Sequence, residues 1–85
     1  MNLWLISQSV NTGHDTYDSA VVAAETEDEA RNILPASYYS WQHDNRWCRA
    51  SVVWAAMPDQ VTVKHIGEAA LSIERGVVLA SFNAG

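Results

Sequence analysis

Apolar residues fall along this chain in short blocks whose spacing predicts the secondary structure. Ser19-Ala20-Val21-Val22-Ala23-Ala24 has the length and β-branched pair of a strand covered on both faces. Its small side chains let another layer approach closely. Thr26 follows, placed to accept a hydrogen bond from the backbone N–H of Glu29, with Glu29 reaching back as a capping box. Glu27, Asp28 and Glu29 put three carboxylates where a helix dipole favours negative charge. Ala30, Ile33 and Leu34 form one apolar stripe at helical spacing, and Pro35 is expected to end the helix after Leu34. About two and a half turns cannot hold alone in water, where helices under ~12 residues are marginal. A sheet must accept the stripe.

Before this unit, Met1 to Ser9 reads as a strand with Leu3 and Leu5 on one face and Trp4 and Ile6 on the other. Residues 11–18, Asn-Thr-Gly-His-Asp-Thr-Tyr-Asp, form a turn-rich connection longer than a tight hairpin needs. After the unit, residues 35–60 carry Tyr38, Tyr39, Trp41, Trp47 and Trp54 among His43, Asp44, Arg46 and Arg49. Within them, Ala50 to Ala56 has a period that fits a strand or a second short helix, and Pro58-Asp59 supplies a turn. Val61 to Ile66 alternates, with Val61 and Val63 inward and Thr62 and Lys64 outward, as in a strand wet on one face. Gly67 to Arg75 is a polar link with Glu68, Glu74 and Arg75 in solvent. Gly76 to Phe82 is apolar on both faces, which predicts an internal strand.

The predicted order β-β-α-(aromatic segment)-β-β is a small α+β fold. It is an antiparallel sheet of about four strands, with the helix on one face and the aromatic segment covering the rest. At 85 residues, one domain spanning 1–85 is expected, since domains usually take ~100–200. Chains this short bury a smaller share of their surface, so self-association is one route to further stability. The single cysteine, Cys48, excludes an intrachain disulfide. The start of the chain lacks a basic segment and a long apolar run, so no signal peptide or membrane span is expected. A cytoplasmic location is the default.

Ten acidic against five basic residues give a net charge of −5, which argues against direct nucleic-acid binding and fits docking on a basic protein surface. The candidate chemistry is sparse. His14, Asp15 and Asp18 share a loop but match no ligand spacing; Asp15 and Asp18 are more simply turn-formers. Cys48 with His43 or His65 lacks an orienting carboxylate, and Ser81 sits inside a strand instead of on a nucleophile elbow. There is no phosphate loop. The expectation is therefore a protein without enzymatic activity, metal or cofactor. A hydrolase using Cys48 or a loop metal would lose activity in Cys48→Ser or with chelator. The aromatic segment is the strongest hint of binding, because Trp, Tyr and Arg dominate interface hot spots. Such rings also fill cores. Trp41 and Trp47, flanked by polar residues, are the candidates for exposure.

Two stretches carry a resemblance. Residues 11–15, Asn-Thr-Gly-His-Asp, followed by 22–30, Val-Ala-Ala-Glu-Thr-Glu-Asp-Glu-Ala, resemble the first third of the small type II-C anti-CRISPR family that caps the HNH domain of Cas9. That family has an Asn-x-Gly-aromatic-Asp loop, an apolar strand ending in Ala-Ala and an acidic helix start. The closing residues 76–81, Gly-Val-Val-Leu-Ala-Ser, are similar to a last strand that carries Ala-Ser in the family. There the serine and the residue after it meet the nuclease active site, which by resemblance picks out Ser81. Phe82 stands where the family has cysteine, and His14 where it has tyrosine. The same segments also look like short uncharacterised bacterial and phage reading frames.

What the resemblance implies is a small phage or mobile-element protein in the cytoplasm of a bacterial host. It would inhibit a nuclease by occlusion through a protein–protein contact. Ser81, Asn83, Asp15 and Tyr17 are its expected contacts, with Trp41 and Trp47 as anchors. The alternative is a self-associating module whose aromatic segment forms a homodimer.

Overall fold

The computed structural model describes residues 1–35 and 53–83. It comprises β1 (Asn2–Ser7), β2 (Thr16–Ala24), α1 (Glu27–Arg31), a one-turn 3-10 helix (Pro58–Gln60), β3 (Thr62–Glu68) and β4 (Gly76–Asn83). The four strands form one antiparallel sheet in the order β3-β1-β2-β4. With one short helix beside it, this is the expected small α+β architecture.

Strand placement departs from expectation at β4. Its apolar pattern on both faces predicts an internal strand, yet among the described residues β4 pairs with β2 alone and lies at the sheet edge. Val77, Val78, Leu79 and Phe82 are 40, 47, 70 and 46% exposed, so the pattern marks an uncovered edge instead of a buried strand. The internal pair is β1–β2, aligned without interruption from Asn2 opposite Ala24 to Ser7 opposite Ser19. β2 also begins earlier than the apolar run suggests, because Thr16 to Asp18 extend the ladder. At the other edge, Gly67 and Glu68 belong to β3 and not to the link that follows.

One face of the sheet carries the main cluster of buried residues, and Ala23 is buried on the other. Alternation puts Trp4 and Ile6 on the same side as Ala20, Val22 and Ala24. Ile6 and the three β2 residues cluster with Ala30 and Leu34 and with Trp54, Ala55 and Val61. The alanines of β2 leave the depth that a fully buried indole needs. Trp54, the described aromatic of the segment after the helix, packs in the helix-side core. Val53 to Ala56 form neither the strand nor the helix that their period allowed. Residues 36–52 of that segment, Tyr38, Tyr39, Trp41, Trp47 and Cys48 included, lie outside the described residues.

The helix is nucleated as its sequence predicts: Glu29 N–H donates to Thr26 Oγ1 at 3.2 Å. The returning bond is displaced by one residue, since Glu29 Oε1 accepts from Glu25 N–H at 3.0 Å. The helix also ends earlier than Leu34. After Arg31 the chain tightens, Asn32 N–H reaches the carbonyls of Asp28 and Glu29, and Asn32 Nδ2 donates to Asp28 O at 2.9 Å. An asparagine whose side chain competes for helix carbonyls ends a helix before proline has to. The apolar stripe survives, with Ala30 and Leu34 buried and Ile33 half-buried.

Candidate functional site

The residues singled out by sequence gather mainly where β2 begins and β4 ends. Geometry there starts from Gln8, a buried side chain just past β1. Its Nε2 donates to the carbonyls of Asn11 (2.7 Å) and Tyr17 (2.8 Å), and its Oε1 accepts from the N–H groups of Val10 (3.0 Å) and Asn11 (2.8 Å). Both amide hydrogens and both lone pairs are thus engaged. Thr16, also buried, donates from Oγ1 to Gly13 O at 2.8 Å. Asn11 Nδ2 reaches Trp54 O at 3.3 Å, and Tyr17 N–H donates to Val53 O at 2.8 Å. The long connection is a turn tied into the fold.

These ties position the tip. Asp15 takes a left-handed conformation, φ 59°, tolerated by Asp through local hydrogen bonding. Its N–H donates to Asn83 O at 2.7 Å, while Asn83 Nδ2 reaches Gly13 O at 3.3 Å. Tyr17 lies opposite Phe82, their rings 4.8 Å apart and tilted by 59°. Asp18 is the extra residue of a bulge between the Tyr17–Phe82 and Ser19–Ser81 pairs. His14, Asp15, Asp18, Ser81, Phe82 and Asn83 are all exposed, and Tyr17 is half-buried.

Four of the six expected contacts can be placed. Asp15, Tyr17 and Asn83 come together at the tip of the β2–β4 ladder. Ser81 is one pair further along, opposite Ser19, and by alternation faces away from the side that carries Ala80 and Phe82. The patch therefore wraps an edge instead of occupying one face. Trp41 and Trp47 lie outside the described residues. Two contributors escaped the sequence reading. Gln8 is an unremarkable residue in sequence, and only its spacing to the Asn-Thr-Gly turn hints at its role. Phe82 looks like a mere departure from a family pattern until Tyr17 is seen against it.

The surface offers a carboxylate, a hydroxyl, a carboxamide and an aromatic edge, which is hydrogen-bonding and packing chemistry. Among the described residues, no group of three or more His, Cys, Asp or Glu side chains is placed to hold a metal ion. His65 is engaged elsewhere, its Nε2 3.2 Å from Asn2 Oδ1 and its ring edge-on to Trp4 at 5.0 Å. No described helix is long and apolar enough to cross a membrane. Comparison with family models, with curated proteins and with solved structures returned no match, so any kinship for this chain stands on its own residues.

Proposed function

We propose that this protein is a non-enzymatic inhibitor of the anti-CRISPR kind, binding an HNH-type nuclease domain and occluding its active site. The observation that carries the reading is the exposed, tied-down tip that brings Asp15, Tyr17 and Asn83 together, with Ser81 next along the same strand. The resemblance of residues 11–15, 22–30 and 76–81 supplies the kind of target. A protruding strand end can enter a cleft and present both faces at once, which suits a patch that wraps an edge. Net charge of −5 favours encounter with the basic surface a nuclease uses for its substrate. Gln8 and Thr16 fix the loop before contact, so little ordering is left for binding to offset.

The setting is the cytoplasm of a bacterial host, with a protein as the partner and neither nucleic acid nor membrane contacted directly. Titration calorimetry against isolated HNH domains of type II-C effectors tests the proposal. Saturable binding that falls at least about tenfold in Ser81→Arg is expected, as for a bulky charge placed at a contact centre. Absence of binding across such a panel, with DNA cleavage unslowed by excess protein, would overturn it.

A further inference from the structure

We draw no further inference here: the strongest candidate, the uncharged outer edge of β4 with its exposed Val77, Val78, Leu79 and Phe82, carries nothing because nothing in the structure shows what covers it.

Discussion

Gln8 shows how much one polar side chain can determine in a small fold. It follows β1, where a hydrophobic residue would fit the alternation, and its carboxamide holds two carbonyls and two N–H groups of the turn that follows. Because the side chain is buried, removing it strands backbone groups that water cannot easily reach. Gln8→Ala should therefore cost about 2–3 kcal/mol, more than the ~1 kcal/mol of an average hydrogen bond. Urea unfolding measures that loss, and a change below about 0.5 kcal/mol would mean the turn holds without it. Asp15 illustrates the opposite case. Its identity is explained by a left-handed backbone, and its side chain is exposed.

At the scale of elements, α1 is the part with least claim to exist alone. Five helical residues are far below the ~12 that an isolated helix needs. Three local features and one tertiary feature stabilise it: the Thr26 cap, the acidic first turn, the Glu27–Arg31 pair at 3.1 Å and the burial of Ala30 and Leu34. The ion pair is partly exposed and so contributes only a few tenths of a kcal/mol. The cap matters more. Thr26→Ala should lower stability by about 1 kcal/mol, read from the denaturation midpoint, whereas Thr26→Ser should restore most of it. Burial outweighs both, which is why the helix persists although Asn32 cuts it short.

Across the whole molecule, the largest cluster of buried side chains among the described residues is built around Trp54 on one face of the sheet. The indole is fully buried among Ile6, Ala20, Val22, Ala24 and the α1 stripe, and its Nε1–H has no hydrogen-bond partner among the described residues. An unpaired buried donor costs about 1–3 kcal/mol, which the apolar contact of so large a ring offsets. Trp54→Ala should therefore destabilise by about 3–5 kcal/mol. In a domain whose total stability is about 5–15 kcal/mol, thermal melting should show a large share of that reserve lost. The core also accounts for the uneven sheet. β1 and β2 sit in the middle because they carry the side chains that Trp54 and α1 cover, and β4 falls at the margin.

The primary sequence determined what local physics can determine. Short apolar blocks marked all four strands, with clean alternation in the third alone, Thr26 with its following acids marked the helix start, and Asn-Thr-Gly with Pro-Asp marked turns. Those signals depend on neighbours within a few residues and are readable one stretch at a time. The tertiary structure decided which strand is interior, where α1 ends, on which side Trp54 packs, and that Asp15, Tyr17 and Asn83 meet. Each of these depends on pairing between residues far apart in the chain. An apolar strand such as β4 looks the same in sequence whether other strands flank it on both sides or on one alone, because burial belongs to the neighbour that covers it and not to the strand itself.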